Sequence, residues 1–231
     1  MIPKIFHQIW INRNDPELPE RFRAYRDGWL ALHPDWEYKL WNLDNLDFTP
    51  QRMDLVNSAP NYAQMADVLR YEILLRHGGV YLDTDFECLR NIDPILIGVK
   101  NFSCSEDGRS ISIGIIGAEP NSIYMERCVR ALPERVGESC TAIETGPGLL
   151  TRVLLGEGLA GDFVLFPREW FYPYLYDEPN RANENFSQAY AVHRWASSWT
   201  NSDNRFFRRI HCKIKRVLRL FGKHSVARNG I

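Results

Sequence analysis

The segment Gly78-Gly79-Val80-Tyr81-Leu82-Asp83-Thr84-Asp85 constrains this chain more than any other. Two glycines stop whatever precedes them, three apolar residues make a short buried strand, and two carboxylates leave its C-terminal end. Before it, Tyr62 to His77 reads as a helix, with Met65, Ala66, Val68, Leu69, Ile73 and Leu75 on most of its faces and Gly78 as its stop. In parallel α/β sheets, ligands bind where loops leave the carboxyl ends of strands. Alternate residues of an extended segment point the same way, so Asp83 and Asp85 are able to converge on one cation. Hard carboxylate oxygens suit Mg²⁺ or Mn²⁺, which bind through one or two carboxylates plus substrate phosphates. The bare triplet also fits a solvated turn with a helix-capping aspartate.

The rest of the chain fits an α/β domain. Strands are predicted over Lys4–Ile11, Trp36–Trp41, Asn101–Ser105, Ser112–Gly117, Phe163–Phe166 and Ala189–Val192. Helices are predicted over Pro16–Leu32, Asn121–Val136 and Gly148–Leu155, with a loop rich in Asn, Asp and Pro running up to Pro60. Alternation of this kind predicts a single α/β domain with a mainly parallel sheet, over 1–203. At 231 residues there is room for one full core, and no repeat or linker divides it.

Residues 204–231 differ from the body. They hold nine Lys or Arg and no acid, so the body keeps 19 basic against 29 acidic residues, about −10. Phe206, Phe207, Ile210, Ile214, Val217, Leu218 and Phe221 recur at helical spacing among the cations. This C-terminal basic amphipathic helix suits an anionic membrane surface, or packs its apolar stripe on the domain. Nucleic acid fits less well, because the body is acidic and no recognition motif accompanies the tail.

The five cysteines (88, 104, 128, 140 and 212) are unpaired in number and widely spaced, which argues against a disulfide framework or zinc site. The N-terminus lacks a signal-peptide region, and no apolar run nears the roughly 20 residues of a membrane span. The expectation is a cytoplasmic protein, peripheral on the inner face of the plasma membrane if the tail docks there.

Several other residues have two readings. Asp67 and Arg70, three apart on the apolar helix, form either a buried ion pair or a polar patch facing a ligand. Trp10 ends a strand and fits a core aromatic; His193 fits a structural histidine. His7 points opposite to Gln8 and reads as structural. Glu106 and Asp107 form an acidic loop that is either a solvated turn or an acceptor for a hydroxyl proton.

Taken together, Ile2-Pro-Lys-Ile-Phe-His-Gln-Ile-Trp10, Ala66-Asp-Val-Leu-Arg-Tyr71 and Gly78-Gly-Val-Tyr-Leu-Asp-Thr-Asp85 resemble glycosyltransferase family 32. That family includes yeast Golgi mannosyltransferases and bacterial capsule and surface-polysaccharide enzymes, and is more distantly similar to the clostridial glucosylating toxin domain. The matching blocks cover roughly the first 95 residues in order and spacing. Weaker echoes follow in Thr145-Gly-Pro147 and His193-Arg-Trp-Ala-Ser-Ser-Trp199.

The resemblance implies a GT-A fold with a Rossmann-like nucleotide-binding sheet, and a retaining transfer of a hexose from a UDP- or GDP-linked donor to a saccharide or lipid-linked saccharide. It implies that Trp10 stacks on the donor base, with Gln8 nearby, and that Asp67 and Arg70 bind the donor sugar. Asp83 would touch ribose or sugar and share the metal, Mn²⁺ or Mg²⁺, with its direct ligand Asp85. Tyr81, Ser198 and Trp199 would line the diphosphate, and His193 would be a further metal or phosphate contact. Where many relatives carry an Asn, this chain has Ser112-Ile113-Gly114. With no carboxylate nucleophile in evidence, the acceptor attacks on the face that the phosphate leaves, and the phosphate takes its proton. Two other classes remain: an aspartate-nucleophile phosphohydrolase, in which Glu87 stands where a Thr or Val is usual, and a non-catalytic nucleotide-sugar binder.

Overall fold

The computed structural model describes residues 1–13, 15–135, 141–156 and 162–196. Met1–Ala196 forms one compact unit. Ser198, Trp199, Cys140, Cys212 and the basic segment 204–231 lie outside the described residues.

A six-stranded sheet organises the unit in the order β2-β1-β3-β6-β5-β7. Its strands are β1 (Ile5–Ile9), β2 (Glu37–Trp41), β3 (Gly79–Leu82), β5 (Asn101–Cys104), β6 (Ile115–Ala118) and β7 (Phe163–Phe166). β1 pairs in parallel with both β2 and β3, and β5 with β7. β6 runs antiparallel to its two neighbours, β3 and β5. The sheet is therefore mainly parallel, as expected, with one reversed strand at its centre. A second, two-stranded antiparallel sheet joins β4 (Phe86–Cys88) to β8 (Ala191–His193).

The helices are α1 (Glu20–Leu32), α2 (Met53–Ser58), α3 (Tyr62–His77), α4 (Asp93–Leu96), α5 (Ile123–Ala131), α6 (Thr141–Glu144) and α7 (Pro147–Gly156). None of those described is long and apolar enough to cross a membrane. α1 starts later than its composition suggests, because Pro19 takes an extended conformation as the residue before the helix. The loop before Pro60 contains α2, and the strand predicted from Ser112 begins only at Ile115. There Ser103 Oγ donates to the carbonyls of Ser112 and Ile115, bending the approach to β6.

Period-2 alternation sorts the β3 side chains. Val80 and Leu82 enter an aromatic core with Phe6, Trp29, Trp36 and Phe86, in which Phe6 stacks on Trp36 at 4.2 Å. Tyr81 enters the opposite core with Val68, Leu69, Ile73, Met125 and Leu149. Asp83, two residues on from Tyr81, meets α3 on that side.

The turn into β3 depends on glycine. Gly79 has φ +92°, and a Cβ there would lie 2.7 Å from both His7 Nε2 and Ile5 O. His7 bridges this turn to β2: its Nε2 meets Gly78 O at 2.9 Å, and its Nδ1 accepts from Trp41 Nε1 at 3.0 Å. His7 is thus structural, as read from the sequence, and the bonds at its two ring nitrogens fix one neutral tautomer.

Candidate active site

Asn61 caps α3 by accepting from Gln64 N at 3.0 Å, and Gly78 stops the helix beside β3. Between these ends the helix is buried on nearly all sides, so its charged pair is buried too. Arg70 Nη2 contacts Asp67 Oδ1 at 2.9 Å, with side-chain exposures of only 5% and 7%. Of the two readings open from spacing, the ion pair is therefore the observed one. Arg70 Nη1 also donates to Ile113 O at 2.7 Å and reaches Asp83 Oδ1 at 3.3 Å. Thr145 Oγ1 donates to the other Asp67 oxygen at 2.9 Å. Burial pushes the Asp67 carboxyl up to about 6, against the pull of Arg70 and Thr145.

Asp83 is gripped from three directions. Tyr81 Oη donates to its Oδ1 at 2.8 Å, with the Arg70 guanidinium stacked 4.5 Å from the Tyr81 ring centre. Its backbone N–H donates to Gly114 O at 2.8 Å. Burial would raise its pKa, but Arg70, His193 and Tyr81 outweigh that and hold it below the usual carboxylate range.

The small sheet supplies the rest. Pairing of β4 with β8 sets Phe86 opposite His193 and brings His193 back to the acidic pair. His193 Nε2 lies 3.1 Å from Asp85 Oδ1 and 3.7 Å from Asp83 Oδ2. The rings of Phe86, Tyr172 and Trp195 surround it at 4.8, 5.3 and 4.3 Å. Burial disfavours its charge, yet Asp85 and Asp83 raise its pKa to about 10. Among the described residues, His193 Nδ1 is the one buried side-chain polar atom without a hydrogen-bond partner. Asp85 Oδ2 accepts from Ala196 N at 2.8 Å, and Asp85 O from Arg194 N at 2.9 Å.

One ligand atom from each of Asp83, Asp85 and His193 lies within 4.8 Å of the others. Two carboxylate oxygens and an imidazole nitrogen at this spacing fit a divalent cation of the Mn²⁺ or Mg²⁺ class. Protonated His193 neutralises part of the same charge, and ligation would require it to give up that proton.

The other anticipated residues take varied positions. Trp10 is half-buried, edge-on to Phe22 at 5.7 Å, with its indole N–H on Asp15 O at 3.1 Å. Gln8 is buried; Tyr38 Oη donates to its Oε1 at 2.8 Å, and its Nε2 reaches Asp83 O at 3.4 Å. Both ends of that amide are used within the protein, so Gln8 supports Asp83 from behind. Tyr172, whose hydroxyl pairs with Ser112 Oγ, had no sequence signal, while Gly114 and the backbone N–H of Ala196 lie in segments that only the resemblance marks, with no role read for either. A Cβ at Gly114 would sit 2.5 Å from Tyr172 Oη and 2.7 Å from Asp83 Oδ2, so the glycine is what lets Asp83 approach.

Comparisons with known proteins agree with this architecture. Residues 19–101 match the model of the glycosyltransferase sugar-binding region containing the DXD motif. Inositol phosphoceramide mannosyltransferase 3 of Schizosaccharomyces pombe is 31% identical over 89% of this chain and 58% of its own length. An uncharacterized glycosyltransferase, L373, of Acanthamoeba polyphaga mimivirus is 28% identical over 86% of this chain and 84% of its own. The chain thus spans under two thirds of the yeast relative and most of the viral one. Among solved structures, the PaToxG glycosyltransferase superposes with a TM-score of 0.52 at 16% identity, over 68% of this chain and 70% of that one. The glycosyltransferase domain of the YGT toxin gives 0.51 at 10% identity, over 71% and 80%. The fold is that of the GT-A glycosyltransferases, and residues 19–101, which include Asp83-Thr84-Asp85, match the sugar-binding region with the DXD motif found in glycosyltransferases.

Proposed function

We propose that this chain is a metal-dependent, retaining glycosyltransferase that moves a hexose from a nucleoside-diphosphate sugar to a saccharide or lipid-linked saccharide. The observation that carries the reading is the convergence of Asp83, Asp85 and His193 at the C-terminal end of β3. A divalent ion bound there neutralises charge on the diphosphate.

The chain's own side chains supply position and electrostatics. Asp83 and Asp85 face the diphosphate, and the half-buried Trp10 offers its ring to the base. Arg70 spends most of its donors on Asp67, Asp83 and Ile113 O, so it fixes Asp83 first and reaches donor hydroxyls with what remains. Ser198 and Trp199 complete the diphosphate side in this reading. The anomeric carbon–oxygen bond breaks with its electron pair on the leaving phosphate. The acceptor oxygen bonds to the same face, and its proton passes to that phosphate.

The yeast relative's name makes mannose the first sugar to test and an inositol-containing sphingolipid the first acceptor. A role in surface polysaccharide synthesis is the broader alternative. We place the catalytic domain at 1–203 and assign 204–231 to docking on an anionic, cytoplasmic membrane face. Free thiols at Cys88, Cys104 and Cys128 suit that reducing compartment.

Incubation with Mn²⁺ and UDP-glucose, UDP-galactose, UDP-N-acetylglucosamine or GDP-mannose tests the reading. Release of nucleoside diphosphate with at least one donor is expected. Release of inorganic phosphate from monoesters instead, or binding without turnover, would reject it.

A further inference from the structure

We propose that Glu106 is an acceptor-binding residue, whose carboxylate takes a hydrogen bond from a hydroxyl next to the one that attacks the donor sugar. The proposal rests on the glycosyltransferase reading above and adds a residue on the acceptor side.

Glu106 lies in the connection from β5 to β6, which folds back on itself. Ser105 and Ile111 form an antiparallel bridge. Ser105 Oγ accepts from Gly108 N at 2.7 Å and donates to Ser110 O at 2.8 Å. Asp107 Oδ1 accepts from Arg109 N, Ser110 N and Ser110 Oγ at 2.9, 2.9 and 3.0 Å. Asp107 is therefore the structural acid of this turn. Glu106 takes no part: it makes no hydrogen bond or ion pair among the described residues.

The base of the turn is fastened to the site. Ser112 Oγ pairs with Tyr172 Oη, and the Tyr172 ring lies 5.3 Å from that of His193. Ile111 N donates to Thr151 Oγ1 at 2.8 Å, and Gly114 O accepts from Asp83 N at 2.8 Å. Glu106 is half-buried, and its charge acts on Asp83, His193 and Tyr172. Burial, then Asp107, pushes its carboxyl up to about 7, with His193 opposing. Yet it is not in the group of ligand atoms that lie within 4.8 Å of one another. Glu106 is thus apart from the cation's ligand set while its charge reaches that set.

A half-buried carboxylate with no hydrogen-bond partner among the described residues is a poor neighbour for a second phosphate and a good acceptor for hydroxyl groups. A sugar or inositol ring presents vicinal hydroxyls, one free to attack while its neighbour donates to Glu106. The acceptor proton still goes to the departing phosphate, so Glu106 ends the cycle unchanged.

Competition between simple alcohols tests this without knowledge of the natural acceptor. The chain is given Mn²⁺, its active donor, and equal concentrations of methanol and ethylene glycol in water, and the glycosylated products are counted. The wild-type chain should favour the glycol by about tenfold per hydroxyl, the effect of one hydrogen bond to a charged group. Glu106→Ala should bring the ratio close to one, Glu106→Gln should keep part of the preference, and donor affinity should stay within about twofold. An unchanged ratio in Glu106→Ala, or no preference in the wild-type chain, would overturn the assignment. A wild-type chain that turns over no donor sinks the glycosyltransferase reading itself, and a loss of donor binding in Glu106→Ala would place the residue on the donor side.

Discussion

The backbone N–H of Ala196 donates to Oδ2 of Asp85 across 2.8 Å, so the segment that carries His193 is tied to the carboxylate His193 faces. Between them Trp195 holds φ +50°, in the left-handed region that side chains other than glycine rarely adopt. Arg194 reinforces the tie through its N–H on Asp85 O and its guanidinium on Glu87 and Ala182 O. With Oδ2 so engaged, Oδ1 is the oxygen that faces His193 and a cation. Backbone strain here is matched by a specific gain, the placing of one amide proton.

Trp195→Val and Trp195→Asn both remove the ring, but only Asn tolerates the left-handed backbone. The Val variant should be less stable than the Asn variant by about 1–2 kcal/mol in urea denaturation. It should also bind Mn²⁺ more weakly in calorimetric titration. Equal behaviour of the two would show that the ring alone matters.

Gly114→Ala places a Cβ against Tyr172 Oη and Asp83 Oδ2. Overpacking of this kind costs about 1–3 kcal/mol. Because the displaced atom is a carboxylate of the cation cluster, donor turnover should fall at least about tenfold, more than the stability loss alone explains. Removing the hydroxyl as well, in Gly114→Ala/Tyr172→Phe, should restore part of the turnover in a steady-state assay.

His7 gives the fold an acid sensitivity. Its pKa is lowered from 6.5 to about 3, first by burial, and protonated Nδ1 would no longer accept from Trp41. The unfolded chain therefore binds this proton below about pH 6.5 while the folded chain does not until about pH 3. Stability falls as pH drops through that window, by at most about 1.4 kcal/mol per pH unit. His7→Gln should be destabilised at pH 7 by about 1–3 kcal/mol, since Trp41 and Gly78 lose a partner. Its stability should decline less between pH 6.5 and 5, by about 1.5 kcal/mol, in denaturant midpoints compared at both pH values.

Much of this was legible in the sequence, for physical reasons. The acidic pair follows a strand short enough to be bounded by Gly79 and Asp83, and α3 ends where Gly78 can take φ +65°. Spacing alone left Asp67 and Arg70 ambiguous, because a helical wheel does not say which faces are covered; α3 is buried almost all round, and the pair became an ion pair. The β4–β8 pairing has no local signature, since Phe86-Glu87-Cys88 is only three residues long and its partner lies about a hundred residues away. Tyr172, and the packing role of Gly114, have no local signature for a similar reason. Their roles arise from one close approach to Asp83 that no local pattern encodes.

The central claim is that Asp83 and Asp85 act through a divalent cation, and one titration tests it most directly. Nucleoside diphosphate release from the active donor would be followed in wild-type chain and in Asp85→Asn, first with EDTA and then with increasing Mn²⁺. The account predicts that wild-type turnover vanishes in chelator and returns with Mn²⁺, and that Asp85→Asn stays more than about a hundredfold lower at saturation, the loss of several kcal/mol of charge stabilisation. Full turnover in EDTA, or a wild-type rate in Asp85→Asn, would contradict it.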